Sequence, residues 1–98
     1  MKIRWTDNAA RNLDSIRAYI AEDAPAEAAR VVANLLVVPE QLEAFPQSGR
    51  VVPEYGNPAV REIVRGSYRV IYRLTNGAVE VLSVLHGAQK LPSTPPAG

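Results

Sequence analysis

Two dipeptides, Gly66-Ser67 and Asn76-Gly77, constrain this chain more than any other feature. Glycine in the first position of a two-residue loop suits a type II′ turn, and Asn-Gly suits type I′; both match the twist of paired strands. The flanking segments are rich in β-branched and aromatic residues and predict strands at Val60–Arg65, Tyr68–Thr75 and Ala78–His86. Loops this short also set the register, because a slip of one residue would turn every side chain to the opposite face. Counting outwards, Arg65 faces Tyr68, Ile63 faces Val70 and Arg61 faces Tyr72. Across the second turn Leu74 faces Val79, Tyr72 faces Val81 and Val70 faces Ser83.

This register sorts the side chains. Ile63, Tyr68, Val70, Tyr72 and Leu74, with Val79, Val81 and Leu85, share one face, apolar enough to be the core face. The opposite face carries Val60, Glu62, Val64, Arg69, Ile71 and Arg73, then Glu80, Leu82, Val84 and His86. There Glu62 has Arg69 and Arg73 as diagonal neighbours and Arg73 lies opposite Glu80. This is a cross-strand charge ladder in which each pair contributes about 0.2–1 kcal/mol. The apolar residues among those charges predict a protein-binding surface. Arg61 and Arg65 fall on the core-face parity near the margin, where their stems can pack and their heads reach water.

Upstream, KIRWT predicts a strand, and Thr6 or Asp7 a helix cap. Ala9, Leu13, Ile16 and Ile20 form the apolar stripe of a first helix. Pro25 suits the first turn of a second helix. Its stripe is Val31, Leu35, Val38, Leu42 and Phe45, widened by Val32 and Leu36. Pro39 removes a hydrogen bond to Leu35 at a cost of about 3 kcal/mol, which predicts a kink or a fresh helical turn. Pro46 to Pro58 reads as loop. Residues 1–91 read as one domain, and 92–98 as a mobile Pro-rich tail. Trp5, Tyr19 and Phe45 read as core or core-edge aromatics.

The 98 residues carry eleven Lys+Arg against ten Asp+Glu. A protein that lives on nucleic acid needs a clear basic excess, since phosphate neutralisation supplies most of its affinity. Any polyanion site here must be local. There is no cysteine, which removes disulfides and thiolate metal sites, and one histidine cannot make a zinc site. The longest apolar run, Val31 to Val38, is far short of the roughly 20 residues that span a bilayer. The start, MKIRWTDN, lacks an apolar signal core. A cytoplasmic protein without cofactor, metal or membrane contact is expected. Glu62 and Glu80 could pair as carboxylates, but the arginines between them neutralise them. Arg50 reads as a loop charge beside Glu54 or as part of a target-facing basic rim.

FPQSGRVVPEYGNPAVREIVRGSYRVIYRL, followed by EVLSVLHG, resembles the RelE/ParE superfamily of toxins from type II toxin–antitoxin systems. The likeness runs from KIRWT to His86, and its specific parts are the FPxxGR loop and the YRVIYR strand. It implies an α+β fold, β-α-α-β-β-β, with a helical hairpin on one face of an antiparallel sheet. It also implies growth arrest, a role in plasmid stabilisation, and a cognate antitoxin that wraps and silences the toxin.

Two activities divide that superfamily. RelE-type members are ribosome-dependent mRNA endonucleases, and on that alternative Arg69, Arg61 and His86 would be the catalytic residues. ParE-type members inhibit DNA gyrase and have no catalytic residues. The family's basic pair after His-Gly is replaced here by Ala88-Gln89-Lys90, and no tyrosine follows Tyr72. Together with the charge balance, these departures favour the ParE type. The expected antitoxin- or target-binding residues are Val64, Arg69, Ile71, Arg73, Leu82 and Val84, or alternatively the helix groove around Val37.

Overall fold

The computed structural model describes residues 1–87 and 89–95; Ala88 and the last three residues of the expected tail lie outside the described residues. The elements run β1 (Lys2–Trp5), α1 (Asp7–Ala21), α2 (Pro25–Ala44), β2 (Arg50–Val51), β3 (Val60–Arg65), β4 (Tyr68–Thr75) and β5 (Ala78–His86). They form a five-stranded sheet in the order β1-β5-β4-β3-β2. The three strands of the meander have the predicted bounds. Two points of sheet topology differ from expectation. The sheet is mixed rather than antiparallel, because β1 pairs with β5 in parallel. The segment expected to be loop also contains β2, which pairs antiparallel with β3.

Gly66 has φ +59° and Ser67 is not left-handed, as type II′ requires. At the second turn only Gly77 has positive φ (81°), so Asn76-Gly77 is not the expected type I′, which needs both residues there. The pairing survives the change of turn type. Arg65 still faces Tyr68, Arg61 faces Tyr72, Leu74 faces Val79 and Tyr72 faces Val81.

Beyond Val81 the register breaks. Ile71 faces Ser83 and Val70 faces Val84, not Ser83, so Leu82 is one residue more than β4 can match. This β-bulge exchanges the faces of the residues that follow. Val84 joins the helix-side core and Leu85 packs on the far side, the reverse of the expected assignment. The bulge frees backbone groups, and side chains at the start of α1 take them up. Thr6 Oγ1 donates to the Val81 carbonyl at 2.9 Å and accepts from Ala9 N at 3.1 Å, so one hydroxyl both caps α1 and docks it. Asn8 Nδ2 donates to the Leu82 carbonyl at 2.9 Å, and Val84 N donates to Asn12 Oδ1 at 3.0 Å.

The helices cover the inner face over a core that includes Leu13, Leu35, Val38, Leu42, Val70, Tyr72, Val79 and Val81. α2 runs unbroken through the buried Pro39, so packing tolerates the lost hydrogen bond without ending the helix. Tyr19 (77% exposed) and Phe45 (69% exposed) are not core aromatics. Tyr19 lies off the stripe of α1, and Phe45 caps α2 at φ −130°, where the helical stripe has already ended.

If Asn12 anchors the bulge, Asn12→Ala leaves the Val84 N–H without its partner and should cost about 1–2 kcal/mol. Asn12→Asp keeps an acceptor there and should cost much less. Urea unfolding of the two variants measures the difference, and equal midpoints would refute the anchoring role.

Candidate functional site

Arg69 and Arg50 converge on one carboxylate. Glu62 stands on β3 with its side chain fully buried on the outer sheet face, away from the helices. A buried carboxylate needs both partners and hydrogen bonds. Arg69, across on β4, donates through Nε to Oε1 at 2.7 Å. Arg50, on β2, donates to Oε2 at 2.5 Å. Arg69 then reaches outward to Glu54 through two bonds of 3.0 and 3.1 Å. Four charges thus tie β4 to β3, β2 and the loop after β2. Arg50 pairs with Glu62 rather than with Glu54, because β2 sets Arg50 opposite Glu62 in register.

Further along, buried Glu80 pairs with Arg4 and, at 3.9 Å, with Arg73. Among the described residues no cluster of potential metal ligands occurs. The hydrogen bond from Arg69 holds the Glu54 carboxyl below its usual range. The stability from that pair is therefore full above the unfolded carboxylate value of about 4.3 and fades as pH falls through the lowered value.

The same network closes the face expected to be open. Ile71 is 1% exposed and Leu82 is fully buried; with Val52 and Val60 they form a second apolar cluster. Its cover comes from the chain itself, as Tyr55 and Leu91 pack over it and Tyr55 Oη donates to the Pro92 carbonyl at 2.9 Å. Val84 is buried on the opposite face. The expectation that Ile71, Leu82 and Val84 are exposed is therefore overturned. Arg69 keeps only 12% of its side-chain surface, whereas Val64 (56%) and Arg73 (33%) remain accessible. The signal for this cover was present in VVPEY, where apolar residues recur inside a stretch read as polar loop.

The FPxxGR loop is held from the inner face. Buried Tyr72 donates through Oη to the Pro46 carbonyl at 2.8 Å and accepts from Gly49 N at 3.0 Å. A Cβ on residue 49 would lie 2.5 Å from that oxygen, so only glycine fits. Burial pushes the Tyr72 hydroxyl up in pKa, which keeps it a donor. Arg61 secures the same loop by donating to the Gly49 carbonyl at 3.0 Å.

Arg69, Arg61 and His86 do not form one site. Arg69 is on the outer face. The bulge sends His86 to the inner face, opposite Tyr68, whose ring meets the imidazole edge-on at 5.5 Å. Arg61 is opposite Tyr72, four residues along β4 from Tyr68. At about 3.3 Å per residue that places Arg61 roughly 13 Å further along the sheet.

Arg69→Ala should destabilise the fold by about 3 kcal/mol, because a buried carboxylate loses its main partner. Glu54→Ala, at an exposed pair, should cost under about 1 kcal/mol. Guanidinium unfolding compares them. If the two losses were equal, Glu62 would not be the centre of the network.

The family described as "ParE toxin of type II toxin-antitoxin system, parDE" matches residues 3–91. The Sinorhizobium fredii protein named "Putative toxin Y4kP" is 42% identical over 94 residues, covering 93% of each chain. "Toxin RelE2" of Caulobacter vibrioides is 28% identical over 89 residues, covering 90% of this chain and 97% of that one. Two solved structures share the fold. One is of the chromosomal ParDE system from P. aeruginosa, with a TM-score of 0.73 at 22% identity over 88% of this chain and 95% of that one. The other is of the RelBE2 toxin–antitoxin complex from Mycobacterium tuberculosis, with a TM-score of 0.63 at 23% identity over 87% and 95%.

Proposed function

The chain belongs to the ParE toxin family of type II toxin–antitoxin systems, within the RelE/ParE superfamily, and from that premise we propose that it arrests growth by inhibiting DNA gyrase. A cognate antitoxin neutralises it by direct binding, and both events take place in the cytoplasm.

One observation carries the choice of gyrase inhibitor over mRNA endonuclease. Arg69, one of the residues that would be catalytic on the endonuclease alternative, is already paired with Glu62 and Glu54. A phosphate would have to displace two carboxylates, one of them fully buried, before Arg69 could act on a transition state. Electrostatic catalysis depends on donors held ready for the developing charge. An inhibitor has no such need, since binding a topoisomerase requires complementary surface alone. The near-neutral balance of charge supports the same reading, as affinity for ribosomal phosphates grows with released counterions. Val64 and Arg73, the accessible remainder of the outer-face set, stay available as contacts to the target. Among the described residues no helix is long and apolar enough to cross a membrane.

The reading predicts that purified protein inhibits gyrase supercoiling of relaxed plasmid while mRNA on translating ribosomes stays intact. Codon-dependent mRNA cleavage with unimpaired supercoiling would overturn it. The wild-type chain is the right reagent, since Arg69→Ala would confound lost activity with lost stability.

A further inference from the structure

The FPxxGR loop is tied to the sheet from several directions, and it begins with an aromatic ring left in water. Phe45 is 69% exposed, more than Val64, Met1, Leu36 or Val37. Its N–H donates to the Gln41 carbonyl at 3.0 Å, and its own carbonyl accepts from Ser48 N at 3.1 Å. Pro46 follows it and keeps it out of the helical region, in line with its φ of −130°. Tyr72 then grips the turn at Pro46 and at Gly49, and Arg61 adds a bond to the Gly49 carbonyl. The backbone that carries the ring is therefore fixed in the free protein. The core gains little from a side chain this exposed, so the fold alone does not account for the ring.

The end of α2 that leads to Phe45 is acidic. Glu43 lies in the last turn and Glu40 about one turn before it; both are exposed, and neither forms an ion pair among the described residues. No basic residue stands in that last turn. Carboxylates there add to the negative end of the helix dipole, an arrangement that a nearby cation relieves. The chain brings one cation to this end, as the Met1 amine donates to the Glu43 carbonyl at 3.1 Å. The two carboxylates themselves are left to water. Ala44, Phe45, Pro46, Gln47 and Ser48 also border a recess of about 430 Å³, so ring and recess stand side by side.

We propose that Phe45, with Glu40 and Glu43 on the turns leading to it, is the anchor by which this chain docks on gyrase. The ring enters an apolar pocket of the enzyme whose rim carries lysine or arginine. The inference rests on the gyrase reading above and names a contact for it. An enzyme that handles DNA presents cationic surface, because phosphate neutralisation supplies much of its affinity. Glu40 and Glu43 meet such a surface with the opposite sign, which steers association and fixes orientation. An aromatic on a braced loop loses little further freedom on binding. Aromatic anchors seated in pockets also carry a large share of the binding energy at interfaces.

The test uses the full chain and purified gyrase, with Kd measured by calorimetry at low and high salt and supercoiling assayed in parallel. Phe45→Ala removes the ring, and Glu40→Gln with Glu43→Gln removes the two charges. Two controls make equal changes elsewhere. Tyr19→Ala removes an aromatic that is 77% exposed on α1, and Glu22→Gln with Asp23→Asn removes two acids between the helices. Circular dichroism confirms that each variant is folded. Phe45→Ala should raise Kd at least about tenfold with little salt dependence, and should weaken supercoiling inhibition by a similar factor. The Glu40 and Glu43 variant should raise Kd about fivefold at low salt and less at high salt. Both controls should stay within about twofold. If the wild type inhibits gyrase and either the Phe45 or the Glu40 and Glu43 variant does so equally well, the anchor is overturned while the gyrase reading stands. An equal loss from the controls also overturns it. If the wild type neither binds nor inhibits gyrase, the reading fails and the anchor fails with it.

Discussion

A carboxylate with no exposed surface organises the outer half of this protein. Glu62 lies under the sheet face opposite the helices, where an unpaired charge would cost several kcal/mol. Its two oxygens take Arg69 and Arg50 separately, so its burial requires β4 on one side and β2 on the other. Glu54 then follows Arg69 and draws the loop after β2 across the face. Loop, edge strand and Tyr55 become a lid over Ile71 and Leu82. A domain of this size has little surplus stability, and closing the second face adds a second apolar cluster without adding a third helix.

The bulge at Leu82 is the complementary constraint on the inner half. It gives β5 one residue too many for β4, and the freed backbone groups become the docking points of α1 through Thr6, Asn8 and Asn12. The same irregularity separates His86 from Arg69, which a regular strand pair would have left on one face. A single extra residue thus seats a helix and also removes the geometry in which an imidazole and an arginine could act together.

The two faces consequently differ in what they can still bind. On the outer face, Ile71 and Leu82 are covered by the chain itself and the arginines meet carboxylates, which leaves Val64 as the exposed apolar residue. On the inner margin, Arg61 and Arg65 bond only neutral oxygens. A charge hydrogen-bonded only to neutral oxygens still gains by meeting an opposite charge, and Arg61 and Arg65 are in that condition.

The sequence by itself determined the meander. Gly66-Ser67 and Asn76-Gly77 fixed strand bounds and most of the pairing, even though the second turn adopts another type, because loop length controls register more strongly than turn geometry does. It also determined most of each helix stripe and narrowed the cap to Thr6 or Asp7, since periodicity and capping are local; the structure selects Thr6 and leaves Leu36 and Phe45 exposed. Only the tertiary structure decided the fates of Ile71, Leu82, Val84 and His86. Nothing in the alternation of EVLSVLH marks a bulge, because the bulge is stabilised by Asn8 and Asn12, more than seventy residues away in sequence. The outer face was likewise legible as a pattern of charges but not as a closed surface. Its cover comes from Val52 and Tyr55, brought there by the pairing of Arg50 with Glu62, and from Leu91, beside the Tyr55–Pro92 bond; these are contacts between segments that no local pattern records.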